Sequence, residues 1–599
     1  MRGLTRCRVW RVCAPLIGLC SIVGGACGAN GRGNDAGSAA DLVLRGGNVI
    51  TMDEQGTRAE AVAIADARIV FVGDDAGADA FRGSGTRVIE LDGATVLPGL
   101  TDSHAHLMST GRLKTQVDLL GSTTFQALLG AVGAAVQRAE PGEWIVGRGW
   151  HQEKWTDAPA AGVRGFPVHD RLSAIAPDNP VSIRHASGHG RLVNLRALEA
   201  AGITSDTPDP AGGEILHTAD GRPSGMLLEE AANLVEDAYR AWLEGRSAEE
   251  RLAADREALS AGVDEFLRHG ITAVHSPPAD SRVGESEAEI ALFHEAAVAG
   301  DLAMRVYAMV NASDATDESL ERLRTVPTAD ERLAVRAIKA YADGALGSRG
   351  ALLLEPYADD DTRGEEVSTE AELRRVSELA LRHGYQAAIH AIGDGANRRV
   401  LDIFADLFAR YPELAEDARF RIEHVQILHP DDVGRLAELG VVASMQGVHA
   451  TSDGPWTPTR LGAERSRERA YPFRDLWDAG VLVVNGTDAP VERVDPWASI
   501  AGMATGRMPG GEPFNPHHLL TRQEALATYT INPARAAFEE DRRGSLEVGK
   551  LADLTVVDAD PLTVSDDDLA EISTLLTVVG GEVAYASEGA PSVRAQSPE

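Results

Sequence analysis

The chain has 599 residues at 44% hydrophobic composition, enough to bury one barrel-sized core and a smaller domain, which excludes a short binding module. Its 91 acidic residues outnumber 57 basic ones, for a formal net charge of -34, and this repels phosphate backbones and excludes nucleic acid as a natural partner. The acidic residues are spread along the chain, with no acidic tail and no basic arm.

In chain order, the first 27 residues stand apart. Cys7, Cys13, Cys20 and Cys27 are the four cysteines, so the remaining sequence offers no disulfide and no thiolate metal ligand. Arg2, Arg6, Arg8 and Arg11 precede an apolar run from Val12 to Val23, and Gly24, Gly25 and Ala26 follow, the layout of an export signal. The run is shorter than the ~20 residues of a membrane span. Ala26-Cys27 resembles the lipobox of bacterial lipoproteins, with Gly24 where Leu is usual. The expectation is a signal over 1–27, a lipid anchor on Cys27 as the one membrane contact, and a cell-envelope location; a cleaved signal with a periplasmic or secreted product is the alternative. Residues 28–40, rich in Gly, Asn, Asp and Ser, read as a flexible tether.

From Asp41, short alternating apolar segments between Gly, Asp and Asn turns predict a small β unit over 41–94. Related patterns at Gly544–Asp558 and Leu576–Tyr585 predict that residues 536–587 complete the same β-sandwich. Residues 588–599 read as a disordered tail. Between the two ends, eight apolar runs alternate with helical stretches: Thr95–Leu97, Thr272–His275, Met304–Met309, Ala337–Ala342, Gln386–His390, Phe420–His424, Val441–Met445 and Val481–Asn485. Alternation of this kind predicts an α/β chain with a (β/α)8 barrel over 95–535. Residues from about 112 to 260 are too many for one βα unit and predict a sub-domain inserted after the first barrel strand.

Leu97-Pro-Gly-Leu-Thr-Asp-Ser-His-Ala-His106 carries the chemistry. On a strand, His104 and His106 share one face with Asp102 and can grip one metal ion. Alone, the pair reads more readily as two incidental histidines on a half-exposed strand. Four later runs end in residues of ligand type: Lys339, His390, His424 and Asp488. Each histidine can also cap a strand, and Asp488 can N-cap a helix. Lys339 sits in Ala337-Ile-Lys-Ala-Tyr-Ala-Asp343, where a buried ammonium is costly unless it pairs with Asp343 or is chemically neutralised.

Taken together, His104, His106, Lys339, His390, His424 and Asp488 resemble the ligand order of the amidohydrolase superfamily. The chain is most similar to its YtcJ-like branch, amidohydrolase family 3, which includes N-substituted formamide deformylases. Further shared phrases are Gly147-Arg-Gly-Trp150, Gly188-His189 with Val193-Asn194, Asp206-Thr-Pro-Asp-Pro-Ala-Gly-Gly213, Asp343-Gly-Ala-Leu-Gly-Ser-Arg349, His390-Ala-Ile-Gly-Asp394 and Asp488-Ala-Pro-Val491, within about 41–588. The resemblance implies two divalent ions, with zinc expected. His104, His106 and Asp488 would hold one and His390 and His424 the other, with Lys339, N6-carboxylated by carbon dioxide, between them. It implies a metal-bridging hydroxide as nucleophile, Asp488 as proton carrier and His189 as the group polarising the scissile carbonyl. Trp150, His275, Gln446 and His449 are candidates for the substrate pocket.

The expected activity is hydrolysis of an amide, formamide or cyclic amide bond in a small molecule. An esterase or lactonase with the same metal pair, and a ligand-binding surface lipoprotein, are the alternatives. Three departures from the family's phrases stand out: His151 in place of Asp, Gly447 in place of Pro, and Thr487 in place of Ser. The first two bear on substrate choice and the third is conservative. Substrate, metal and oligomeric state stay open at this level.

Overall fold

The computed structural model describes residues 39–595 except 120, 153–154, 158–161, 186–189, 211–212, 230, 280–283, 326 and 329. The expected signal, Cys27, nearly all of the tether and His189 therefore lie outside the described residues. Among the described residues, no helix is long and apolar enough to cross a membrane.

Eight strands form the central sheet: β1 (Leu100–Asp102), β2 (Ile271–Ser276), β3 (Arg305–Asn311), β4 (Leu333–Tyr341), β5 (Gln386–Ala391), β6 (Arg421–His424), β7 (Val442–Met445) and β8 (Val483–Asn485). They lie in sequence order, each parallel to the next. The sheet nearly closes, because Ser103 N donates to Asn485 O across the seam between β8 and β1 at 3.1 Å. β2 and β3 are buried along their whole length, as strands covered on both faces must be. This is a (β/α)8 barrel, with each connection running through helix.

The first barrel strand differs from expectation. Thr95–Pro98 is a strand of a flanking sheet, paired with Asn48–Val49 and with Leu554–Val557, and Leu100–Asp102 opens the barrel instead. Gly99 marks the step between them. A Cβ there would lie 2.3 Å from Thr272 Oγ1, so only glycine lets the chain cross this closely against β2.

The chain ends build the flanking domain. A five-stranded sheet holds Leu42–Arg45, Ala61–Ala65, Arg68–Gly73, Arg87–Glu90 and Val593–Ala595, and a six-stranded sheet holds Asn48–Ile50, Arg58–Ala59, Thr95–Pro98, Leu554–Val557, Thr574–Val579 and Glu582–Ala586. One apolar cluster takes Leu42, Val62 and Ile64 from the first sheet and Val96, Leu554 and Val578 from the second, which makes the pair a sandwich. Val593–Ala595 pairs antiparallel with Arg87–Ile89, where the sequence reads as a disordered tail. A polar composition does not prevent three residues from completing a sheet edge through backbone bonds alone. Arg305 on β3 clamps Asp553 of the sandwich by two buried bonds, 2.6 and 2.8 Å long.

The inserted sub-domain is a six-stranded sheet in the order Gly213–His217, Pro223–Glu229, Gly190–Val193, Val181–His185, Ile145–Trp150, Val117–Asp118. It lies between α1 (Leu107–Thr115) and α2 (Ala248–Arg268), which themselves belong to the barrel: Leu107, Met108, Val263 and Phe266 join the barrel core. The helices cross closely at Gly111, where a Cβ would lie 1.7 Å from Ala258 O.

Candidate metal centre

β1 ends at Asp102, so His104 and His106 stand on the loop beyond the strand, and His106 precedes α1. Asp102 does not join them. Its carboxylate accepts from Thr487 Oγ1 at 2.6 Å, Thr487 N at 3.1 Å and His104 N at 3.1 Å, and thereby straps the loop after β8 to the loop after β1. Gly486 fits beneath this strap because a Cβ there would approach Asp102 Oδ1 and His104 N to 2.6 Å.

The expected ligands converge above the seam. His104 Nε2 lies 3.6 Å and His106 Nε2 3.5 Å from Asp488 Oδ1, and Lys339 Nζ lies 3.5 Å from His104 Nε2. The His424 ring is centred 5.0 Å from His104 and 4.5 Å from His390. His104, His424 and Asp488 each offer one donor atom, all within 4.8 Å of one another. Zinc with donors at about 2.1 Å in a tetrahedron keeps neighbouring donors about 3.4 Å apart. The separations of 3.6 and 3.5 Å from Asp488 Oδ1 to His104 Nε2 and His106 Nε2 are edges of that size, so the set fits a cation bound by nitrogen and oxygen.

Three histidines are each turned by a bond at the opposite ring nitrogen. His104 Nδ1 meets Glu423 Oε2 at 2.5 Å, His106 Nδ1 meets Pro278 O at 3.0 Å, and His424 Nδ1 meets Gln446 Oε1 at 2.8 Å. An acceptor at Nδ1 matches the Nδ1–H tautomer, which leaves the Nε2 lone pair for a cation. His424 (φ 80°), Val425 (φ 42°) and Asp488 (φ 56°) adopt left-handed backbone. Such residues persist only where the surroundings hold them, and they cluster at working sites. The turn at His424 breaks the alternation of β6, so Glu423 and His424, adjacent in sequence, both reach His104.

Electrostatics match a site for a cation. Burial, reinforced by Lys339, pushes His104 and His390 down to about 3, so both rings stay neutral. Burial would raise the Asp488 carboxyl, but the His106 bond and the surrounding imidazoles of His104, His424 and His106 outweigh it and hold it well below the usual carboxylate range. Burial pushes Lys339 down to about 8. The Lys339–Asp343 ion pair weighed from sequence does not form. Asp343 instead accepts backbone N–H groups of Leu352, Ile392 and Gly393 at 2.8 to 2.9 Å, and among the described residues no carboxylate lies within 4 Å of Lys339 Nζ.

The pocket candidates separate. Trp150 is fully buried in the sub-domain core, stacked on Trp155 and donating Nε1–H to Ile183 O at 3.0 Å, so it packs rather than lines a pocket. His275 lies fully buried inside the barrel, its Nδ1 receiving Arg421 Nη1 at 3.0 Å. Gln446 stands behind His424 as its acceptor. His449, half-buried on Gly447–Asp453, keeps Nε2 enclosed and without a hydrogen-bond partner among the described residues. Gly447 seats this helix against Pro496–Thr505, where a Cβ would lie 2.0 Å from Ser499 O, and its N–H donates to Asn485 Oδ1, a bond proline cannot make. This departure from the family phrase therefore has a packing cause.

A (β/α)8 barrel with a cation-ready cluster at the C-terminal ends of its strands, flanked by a sandwich from both chain ends, is the build of a metal-dependent hydrolase. Residues 87–585 match the amidohydrolase family, and the chain belongs to that family. It is 32% identical to the putative amidohydrolase YtcJ of Bacillus subtilis (strain 168), over 91% of this chain and 99% of that protein. It is 30% identical to the N-substituted formamide deformylase of Arthrobacter pascens, over 92% and 99%. The crystal structure of an uncharacterized metal-dependent hydrolase from Pyrococcus horikoshii OT3 superposes with a TM-score of 0.71 at 26% identity, covering 88% of this chain and 99% of that one.

Proposed function

We propose that this amidohydrolase cleaves the C–N bond of a small amide, formamide or cyclic amide, with two divalent ions, zinc foremost, held by His104, His106, Lys339, His390, His424 and Asp488. The observation that carries the reading is the convergence of neutral imidazoles, an ionised carboxylate and a buried lysine on one end of the barrel. In this reading His104, His106 and Asp488 serve one ion and His390 and His424 the other, and N6-carboxylated Lys339 joins them. Burial supports the lysine's part, because a depressed amine spends more time neutral, the form that reacts with carbon dioxide. Bound metal supplies Lewis acidity and brings the pKa of water from about 15.7 towards ~7. Asp488 then takes the proton of the attacking water at a carboxylate oxygen and delivers it to the leaving amine. His189 remains the candidate for polarising the carbonyl. Similarity to the N-substituted formamide deformylase of Arthrobacter pascens makes N-substituted formamides the first substrates to try.

Lys339→Ala and His390→Ala should each lose bound metal, read by elemental analysis of the purified protein. Each should also lose hydrolysis of whichever member of a panel of N-substituted formamides, cyclic amides and matched esters the wild type cleaves. Full activity in a metal-free Lys339→Ala protein would overturn the proposal. Ester turnover without amide turnover would replace it by the esterase or lactonase alternative.

A further inference from the structure

One ion pair lies inside the barrel, wholly removed from water. Arg421 and Glu423, two residues apart on β6, point inward together, and both side chains are 0% exposed. Arg421 Nε donates to Glu423 Oε1 at 2.5 Å and Nη2 to Oε2 at 3.1 Å. Nη1 reaches His275 Nδ1 on β2 at 3.0 Å, and Nη2 is shared with Ser103 O after β1 at 2.7 Å and Ser444 Oγ on β7 at 2.9 Å. The planar fork is thus tied to four parts of the barrel wall, which leaves Glu423 a single orientation. Among the described residues, its Oε2 then takes one further bond, from His104 Nδ1.

We infer that Glu423, aligned by Arg421, is a positioning residue of the metal centre: it fixes His104 as the Nδ1–H tautomer and aims Nε2 at Asp488 and Lys339. This rests on the metal-binding reading above. A lone neutral imidazole can carry its proton on either nitrogen, and an Nε2–H ring would present a proton to the cation. A carboxylate can only accept, so a bond this short to Nδ1 decides the tautomer. The same negative charge, desolvated beneath the site, also favours a cation above it. Acidic residues beside histidines are common on solvated surfaces, so nothing in Phe420-Arg-Ile-Glu-His424 distinguishes this glutamate until the fold turns it inward.

The experiment is metal-binding affinity for zinc, by chelator competition on the full-length protein, in wild type, Glu423→Gln, Glu423→Asp and His104→Ala. Glu423→Gln keeps the size and an acceptor oxygen but loses the charge and gains a donor. It should bind zinc 10–100-fold more weakly, as loss of an outer partner typically does. Glu423→Asp, which keeps the charge at a shorter reach, should recover part of that loss. Glu423→Gln with wild-type zinc affinity, while His104→Ala loses zinc, would overturn the inference. If His104→Ala itself keeps zinc, the metal-binding reading fails instead. A second measurement needs no folded variant at position 423: nitrogen-15 NMR of the histidine-labelled metal-free wild type, with the His104 signal assigned by His104→Ala. A protonated Nδ1 supports the inference, and a protonated Nε2 overturns it.

Discussion

Lys339 shows how one residue's surroundings set its chemistry. It is 1% exposed, its Nζ lies 5.0 Å from the centre of the Tyr341 ring, and burial takes its pKa to about 8. In an unfolded chain the same amine titrates near about 10.4. Between those values the unfolded state binds more protons, so stability rises with pH over that window. Metal-free protein should therefore gain melting temperature as pH climbs from about 8 to about 10, and a Lys339→Met variant should lack that rise. Equal pH slopes in the two proteins would show that Lys339 is not desolvated. The lysine was legible as unusual because it interrupts an apolar run. The absence of a carboxylate partner among the described residues was not, since Asp343, four residues on, looked available until the backbone of three other residues claimed it.

At the level of elements, the seam between β8 and β1 is held by side chains as much as by backbone. Thr487→Val removes the hydroxyl that donates to Asp102 at 2.6 Å and leaves a buried acceptor short of one bond, which should cost about 1–3 kcal/mol in denaturant unfolding. Thr487→Ser keeps the hydroxyl and should stay close to wild type; a Val variant as stable as the Ser variant would remove the strap from the account. Periodicity in the sequence was enough to read seven of the eight barrel strands and the sandwich. It could not say that Thr95–Pro98 pairs with Leu554–Val557, because an apolar run carries no label for its partner. The same limit explains Trp150 and Gln446, whose phrases resemble those of the family. A conserved-looking phrase records that a residue matters, not whether it faces substrate, a core or the back of a histidine.

Across the whole molecule, barrel and sandwich share the buried Arg305–Asp553 clamp. Burial would raise the Asp553 carboxyl, but Arg305 outweighs it and holds it below the usual range. A depressed carboxylate adds stability above the unfolded value of about 3.9 and loses it as pH falls through the folded value, so the clamp contributes to acid unfolding. Asp553→Asn strands a buried guanidinium and should destabilise by about 3–5 kcal/mol, read by thermal or denaturant unfolding at neutral pH. A loss under 1 kcal/mol would mean that the junction is wetter than its burial indicates. Because the seam joins the first barrel strand to the last, it also sets an order of events at the ribosome. His104 and His106 emerge early, Asp488 emerges after every other member of the ligand set, and the sandwich strand Leu554–Val557 follows later still. A nascent chain cannot present the full set until Asp488 has been made, and a chain cut short before that residue is left with histidines and no carboxylate to close over them.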